Sequence, residues 1–220
     1  MIINENEAKR ILNKYMVGPT YQKGIPLHCE DLKKGILGFP LIQDGIITTS
    51  RIQRILAIGS AWGYVPRILA EAAQQTDGRV DFVDASYHYK KDGHWLAWGG
   101  TDNWSKFAND YKAMKEYFDG MPIDLHVHTI ENYCLLRPND TYQYIYVDGN
   151  HSYEGTKSAC DLTYPMLECG GFMVMHDTNV QHINDARCQG PRHVAEEMRG
   201  KFKSCLEFGE APGLTIFRKE

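Results

Sequence analysis

Short apolar runs alternate with amphipathic segments along this chain from residue 48 onward. The runs are bounded by polar or glycine-containing turns and predict buried strands, whereas the intervening segments have helical spacing. This alternation predicts an α/β fold, a doubly wound and mostly parallel sheet with helices on both faces. The predicted strands are RILAIG, GRVDFVDAS, IDLHVHT, YQYIYVD and GFMVMHD, and the main predicted helices are PRILAEAAQQ, NWSKFANDYKAMKEYF and GPRHVAEEMRGKF.

The two ends of the chain carry weaker patterns. Residues 6–16 fit an amphipathic helix, residues 24–45 a loop rich in glycine and proline, and residues 47–53 a short capped helix. Residues 154–171 fit a helix closed by glycine, although Pro165 must strain its last turns. KSCLEF and GLTIFRK predict a C-terminal antiparallel hairpin. We therefore divide the chain into a leader, 1–47, which contacts the pocket or another subunit, and a domain, 48–220.

Composition excludes several classes of protein. A formal net charge of -4 over 220 residues supplies no basic field for nucleic acid. No apolar run reaches the roughly 20 residues that a bilayer span needs, so no membrane association is predicted. The six cysteines form no CxxC pair and the start, MIINENEAKR, is unlike a signal peptide. These features predict reduced thiols and a cytoplasmic location.

Ligands of parallel sheets bind beyond the carboxyl ends of the strands, which makes the residues after each run candidates. Gly59, Ser60 and Gly63 follow the first run, where glycines let the backbone approach a ligand at a helix N-terminus. The stretch is neither a dinucleotide fingerprint nor a P-loop, so pyrophosphate binding is disfavoured. A plain turn is the alternative.

Two acids follow the next strands. Asp84 ends the second predicted strand, where a carboxylate can accept hydrogen bonds from ribose hydroxyls, and a surface turn residue is the alternative. Glu131 follows the third strand; it or Asn132 either hydrogen-bonds an exocyclic amine or caps the next turn.

The densest chemistry follows the last two strands. Asp148 and Asp177 each end a predicted strand. If these two strands are adjacent, their backbones lie about 4.8 Å apart, and both carboxylates can hold one cation. Oxygen ligands favour Mg²⁺, with Mn²⁺ or Ca²⁺ as alternatives. His176 can add a nitrogen ligand unless strand alternation aims it elsewhere, and His151 can accept a proton from a substrate hydroxyl. The alternatives are a turn at Asp148, a helix cap at His151 and a simple strand end at Asp177.

The stretches VDGNHSYEGTKSACDL and LECGGFMVMHDT resemble class I S-adenosylmethionine-dependent methyltransferases, in particular the metal-dependent O-methyltransferases of sugars and natural products. The resemblance extends over residues 48–220 and implies a Rossmann-like methyltransferase fold. It implies transfer of a methyl group from S-adenosylmethionine to a hydroxyl of a small molecule or carbohydrate, assisted by Mg²⁺ or another divalent cation. The resemblance implies that the glycine loop (Gly59, Ser60, Gly63) lines the methionine end of the cofactor, that Asp84 binds the ribose, and that Glu131 lies near the adenine. It also implies that Asp148 and Asp177 are metal ligands and that His151 is the general base.

Two residues depart from the pattern of this family. Ala57 occupies the place of an acid that organises the cofactor's amino group, and Ala61 the place of a third glycine. Ala61 is tolerable at negative φ. Ala57 leaves the cofactor ammonium in need of another partner, so weaker cofactor binding or a changed cofactor is an alternative.

The sequence specifies the acceptor poorly. Aromatic residues between Tyr87 and Trp104 predict a lid that stacks on a sugar or aromatic acceptor, and the alternatives are an oligomer interface or a simple cover for the core. Residues 179–193 form a second candidate loop, in which His182, Arg187 and Arg192 can bind an anionic group or merely be solvated. A homo-oligomer is left open.

Three other classes of function are alternatives. Ala57 and Ala61 suggest a binding protein of the same fold that has lost or weakened catalysis. The metal site could also serve a hydroxylation or hydrolysis. An NAD-linked oxidoreductase is disfavoured because the glycine fingerprint is absent.

Overall fold

The computed structural model of the protein describes residues 38–59, 63–85, 118–179, 189–209 and 212–220. Its strands are β1 Arg54–Ile58, β2 Arg79–Val83, β3 Ile123–His126, β4 Tyr142–Val147, β5 Leu167–His176, β6 Ser204–Phe208 and β7 Leu214–Arg218. Its helices are α1 Phe39–Thr49, α2 Tyr64–Gln74, α3 Ile130–Leu136, α4 Tyr153–Thr163 and α5 Gly190–Met198, followed by a 3-10 turn, Arg199–Lys201.

The seven strands form one sheet in the order β3-β2-β1-β4-β5-β7-β6. The first five strands of this order are parallel, and β7 runs antiparallel to both β5 and β6. The predicted doubly wound sheet and C-terminal hairpin are therefore confirmed. In particular β4 and β5 are adjacent and parallel, with Val147 opposite Met175.

Both faces of the sheet are covered. One face packs Ile55, Ala57 and Tyr146 against α1 and α2, and the other packs Leu56, Ile145 and the strand β7 residue Phe217 against α3, α4 and α5. Strands buried on both faces need apolar residues at every position, which explains why their sequences read as continuous apolar runs rather than alternating ones.

The predictions around α1 are wrong. The helix begins at Phe39, inside the predicted loop, and ends at Thr49, so residues 47–49 end this helix and residues 50–53 are not helical. A proline in the first helical turn costs no hydrogen bond, and Gly45 has nothing within 4 Å of the place of a Cβ. Helix α1 runs across residue 48, and the proposed division there stays a prediction.

The predicted helix over residues 154–171 is also wrong in its second half. Helix α4 ends at Thr163, and the chain enters β5 at Leu167. Pro165 has no N–H to continue the ladder, which explains the stop after Thr163. Gly170, at φ +80°, then lies inside the strand instead of closing a helix.

Several predicted features lie outside the described residues: the helix at 6–16, the aromatic stretch from Tyr87 to Trp104, the helix that follows it, and His182 with Arg187. In the parts that are described, every helix is too short or too polar to span a membrane.

Candidate active site at the carboxyl edge of the sheet

The carboxyl ends of three neighbouring strands are tied together by backbone hydrogen bonds. The Gly59 amide donates to the Val83 carbonyl at 2.9 Å, and the Asp148 amide donates to the Ile58 carbonyl at 2.9 Å. Asp84 directly follows Val83 and is half-buried. The glycine loop, the ribose candidate and the first metal candidate therefore share one edge of the sheet.

The turn after β1 depends on glycine. Gly59 has φ +68°, and a Cβ there would lie 2.5 Å from both the carbonyl oxygen of Asp148 and the Cα of Gly149. Gly63, at φ +73°, precedes α2, which begins without a side-chain cap. Such a helix start leaves its first amides to other acceptors, as an anionic or polar ligand requires. Ser60 and Ala61 lie outside the described residues.

Three predicted side chains meet beyond β4 and β5. Nε2 of His151 lies 3.4 Å from Oδ1 of Asp148 and 3.2 Å from Oδ2 of Asp177. One ligand atom from each of the three residues lies within 4.8 Å of the other two. Their side chains are only 11 to 13% exposed. The arrangement is compact enough for one cation and is shielded from bulk water.

His176 lies against the same two carboxylates. Its Nδ1 is 3.0 Å from Oδ2 of Asp177 and 3.6 Å from Oδ1 of Asp148. Strand alternation therefore does not carry this side chain away from the site. His176 is not a member of the compact trio, however, and its role as a metal ligand stays a prediction.

The residues of the turn between β4 and α4 make different kinds of contact. Asn150 Oδ1 accepts from the Ser152 amide at 2.9 Å, and the Ser152 hydroxyl caps α4 by accepting from the Gly155 amide at 3.0 Å. Asn150 and Ser152 thus perform the turn and cap roles that were alternatives for this stretch. The His151 side chain points to the carboxylates instead.

Charges within the site reinforce one another. Burial disfavours the Asp148 carboxylate, but the charge of His176 and a hydrogen bond from His151 hold its pKa well below the ordinary value. Burial likewise opposes a charged His176, but Asp177 and Asp148 raise its pKa to about 10. Burial opposes a charged His151 as well, and the same two carboxylates raise its pKa. Asp148 is therefore ionised at neutral pH, as a cation ligand must be.

Asp177 has an unusual backbone. Its φ of +57° lies in the left-handed region, which a residue other than glycine adopts at a cost of about 1 kcal/mol or more. The hydrogen bond to His176 holds its carboxylate at 3.0 Å. Backbone strain of this kind is found at sites where the surroundings fix a functional side chain.

Glu131 occupies the first turn of α3. Thr129 caps this helix by accepting from the Asn132 amide, so neither Glu131 nor Asn132 is the cap. The Glu131 carboxylate accepts a hydrogen bond from Ser158 of α4 at 2.8 Å. Its role near adenine stays a prediction.

One functional side chain escaped the sequence reasoning. The Tyr146 hydroxyl donates to Oδ2 of Asp148 at 3.2 Å, and its ring centroid lies 6.2 Å from that of His176. The period of two along β4 places Tyr144, Tyr146 and Asp148 on one face, and this signal could have revealed the contact.

A cavity of about 260 Å³ adjoins the site on the side of β7. It is lined by Thr178, Asn179, Thr215 and Phe208, together with Arg192 of α5. Arg192 is the described member of the predicted anion-binding loop, and it pairs with Glu196 at 3.2 Å. Thr178 directly follows Asp177 in the chain, so the lining of this cavity begins one residue beyond the carboxylate pair.

The sheet order, the final antiparallel strand and a polar site at the carboxyl edge together define a Rossmann-like methyltransferase fold. The chain belongs to the family described as "Methyltransferase domain", whose model matches residues 56–178. The resemblance to class I S-adenosylmethionine-dependent methyltransferases is thereby confirmed. No curated protein matches the sequence.

Solved structures share the fold at low identity. The O-methyltransferase TomG from Streptomyces achromogenes, in complex with S-adenosylmethionine, is 16% identical, with a TM-score of 0.57 over 98% of this chain and 88% of that one. The SAH-bound methyltransferase PaMTH1 from Podospora anserina is 15% identical, with a TM-score of 0.62 over 100% of this chain and 98% of that one. An O-methyltransferase from Bacillus cereus in complex with SAH is 14% identical, with a TM-score of 0.58 over 100% and 93%.

Proposed function

We propose that this protein is a divalent-metal-assisted O-methyltransferase that uses S-adenosylmethionine and acts on a hydroxyl of a small molecule or sugar in the cytoplasm. The observation that carries the proposal is the trio of Asp148, His151 and Asp177, whose ligand atoms lie within 4.8 Å of one another. This trio shares an edge with the glycine turn at Gly59.

The residues at the ends of β1 and β2 fit the cofactor. The tight turn at Gly59 and the helix N-terminus that follows Gly63 suit the methionine end, and the half-buried Asp84 suits the ribose hydroxyls. We assign Ser60 to the same loop and Glu131 to the adenine side. Bound S-adenosylmethionine supplies an electrophilic methyl group, and the three solved structures with this cofactor or its product support the assignment.

The metal assignment rests on the chemistry of the donor set. Asp148 and Asp177 offer hard oxygen atoms, which suit Mg²⁺ or Mn²⁺, and Asp148 stays ionised at neutral pH. His176 holds both carboxylates from the buried side. A divalent cation at this place supplies Lewis acidity, which lowers the pKa of an acceptor hydroxyl.

His151 is our candidate for the general base. Its Nε2 faces the two carboxylates, so an acceptor hydroxyl bound at this edge comes within reach of the ring. As the methyl group is transferred, the neutral form of His151 takes the hydroxyl proton. A cation bound to Asp148 and Asp177 would offset the two negative charges that raise the pKa of this histidine, and so would favour its neutral form. The alternative role is third metal ligand, and the same Nε2 atom cannot perform both tasks at once.

Calorimetric titration of S-adenosylhomocysteine, with and without Mg²⁺, tests the proposal. We expect the wild type to bind this ligand, and to bind it more tightly with Mg²⁺. In thermal melts with ligand at 100 times Kd, the free energy of unfolding should rise by roughly 2.7 kcal/mol, which raises Tm. Asp148→Ala should lose Mn²⁺ binding and transfer to a panel of hydroxyl acceptors, and Asp161→Ala, at a surface ion pair, should lose neither. Absence of any shift across a range of Mg²⁺ concentrations contradicts the proposal.

His151→Ala separates the two roles of this histidine in the same assays. If His151 is the general base, the rate of transfer should fall by about 10²- to 10⁴-fold in this variant. The affinity for Mn²⁺ should then stay within about threefold of wild type, because the two carboxylates that bind the cation are unchanged. A metal ligand predicts that Mn²⁺ affinity falls together with transfer. The second outcome would move the base to another group.

A binding protein of the same fold is the second candidate. Ala57 favours it, because this residue is fully buried between Phe82 and Tyr146 and offers no carboxylate to the cofactor ammonium. It predicts intact folding and binding of a partner, without transfer to any acceptor of the panel.

A further inference from the structure

We propose that Tyr146 is a positioning residue that orients the Asp148 carboxylate for metal binding; this inference rests on the proposed metal-assisted function. The two oxygens of Asp148 have different neighbours. Oδ2 accepts from the Tyr146 hydroxyl at 3.2 Å, whereas Oδ1 is the atom 3.4 Å from His151 and 3.6 Å from His176. One oxygen is thus hydrogen-bonded to the buried phenol, while the other faces the two histidines of the site.

The position of the ring is fixed by the sheet. Tyr146 is fully buried and lies in register with Ala57 on β1 and Val174 on β5. On the far side of Ala57, the register continues to Phe82 of β2. The row therefore alternates large and small side chains, and the methyl group of Ala57 leaves room beside it for the phenol.

This packing gives Ala57 a task of its own. A longer side chain at residue 57 would extend into the space between the rings of Phe82 and Tyr146. Since Tyr146 also packs at 6.2 Å from His176, and His176 edge-on to Phe39 at 6.1 Å, a displaced phenol would move the support of both carboxylates. The small residue at 57 and the tyrosine at 146 therefore act as a pair.

The principle behind the inference is general. Groups that hydrogen-bond a ligating carboxylate fix its orientation, and their loss costs about 10- to 100-fold in metal affinity. Tyr146 holds its hydroxyl on a rigid buried strand, so the carboxylate pays little ordering cost when a cation binds.

Mn²⁺ titration of the full-length protein, followed by electron paramagnetic resonance, tests this inference with Tyr146→Phe. The variant removes one oxygen and keeps the ring. The matched control is Tyr144→Phe, because Tyr144 is also fully buried on the same face of β4, with its hydroxyl donating to Gln43 at 3.1 Å. We expect the Kd for Mn²⁺ to rise about 10- to 100-fold in Tyr146→Phe and to stay near wild type in Tyr144→Phe.

Two further measurements complete the design. Tm should fall in both variants, because each loses one hydrogen bond made by a fully buried tyrosine. The affinity for S-adenosylhomocysteine without metal should stay unchanged in Tyr146→Phe. Together these results separate positioning of the carboxylate from general loosening of the sheet.

Each contrary outcome has a distinct meaning. Wild-type Mn²⁺ affinity in Tyr146→Phe overturns the inference and leaves the proposed metal site standing. Equal losses in the two variants also overturn it, since the effect would then be structural. A wild-type protein that does not bind Mn²⁺ overturns the metal assignment and this inference together.

Discussion

At the scale of single residues, Gly59 shows how closely two strands can approach. Its backbone is left-handed, and the Asp148 carbonyl and Gly149 Cα occupy the space that a side chain would need. Any larger residue must therefore displace the end of β4, where Asp148 begins the candidate metal site. Gly45 is a contrasting case, because the space around it in α1 is open.

Substituting each of these glycines by alanine tests this reading. Gly59→Ala should lower the free energy of unfolding by more than about 1 kcal/mol and weaken Mn²⁺ binding, because the backbone strain and the clash act at the metal edge. Gly45→Ala should stabilise the protein by about 0.5–1 kcal/mol, since alanine favours a helix interior. Urea denaturation measures both. A Gly59→Ala variant as stable as wild type contradicts the close approach.

At the scale of secondary-structure elements, a buried polar chain joins three strands and a helix. Oδ1 of Asp81 on β2 lies 2.7 Å from Nε2 of His126 on β3, and its Oδ2 accepts from Tyr142 of β4 at 3.0 Å. Tyr142 in turn bonds Tyr133 of α3. Burial opposes the Asp81 carboxylate, yet the hydrogen bonds from His126 and Tyr142 hold its pKa below the ordinary value.

A lowered pKa makes the contribution of Asp81 to stability dependent on pH. The contribution is fully present above the unfolded value of about 3.9 and is lost as pH falls from there through the folded value. Asp81→Asn should therefore cost about 1–3 kcal/mol at pH 7, and its deficit should shrink below about pH 4. Thermal melts at pH 7, 5, 4 and 3 measure the deficit.

Asp124→Asn is the control for this series. Asp124 stands opposite Asp81 in the parallel register of β2 and β3 but is exposed. Its substitution should change stability by less than about 0.5 kcal/mol at neutral pH. A deficit of Asp81→Asn that stays constant from pH 7 to pH 3 would show that the carboxylate charge is not what stabilises the chain of hydrogen bonds.

At the scale of the whole molecule, the strands of the sheet differ in how well their backbone amides are protected from solvent. β4 is paired on both sides, by β1 and β5, and is almost entirely buried. Among the described strands, β6 pairs with β7 alone, and four of its five residues are exposed. A central strand opens only with global unfolding, whereas an edge strand opens locally.

Hydrogen exchange with mass spectrometry should follow this order. We expect the amides of β4 to exchange slowest and those of β6 fastest among the strands described. Dilution of the sample should leave the order unchanged. Concentration-dependent protection of β6 would instead indicate that a second copy of the chain covers this edge.

The sequence predicted what depends on local chemistry. Apolar runs between glycine turns predicted the strands and their parallel arrangement, because a strand buried on both faces is apolar at nearly every position. The same pattern placed Asp148 and Asp177 after neighbouring strands, and the structure brings them to one edge with His151. The glycine content of residues 24–45, by contrast, led to a wrong prediction for α1. Glycine is typical of loops, but a packed helix also tolerates it, as Gly45 shows.

Tertiary structure alone decided which atoms face each other. The pairing of Ala57 with Tyr146, the division of the Asp148 oxygens between Tyr146 and the histidines, and the left-handed Asp177 follow from register and packing across strands distant in sequence. These contacts join residues that are far apart in the sequence, so local hydrophobic patterns do not predict them. The chain itself therefore determined the fold and the edge at which chemistry is expected. The packing of β1, β4 and β5 determined how the carboxylates are held there, because distances of a few ångströms are fixed only when the sheet closes.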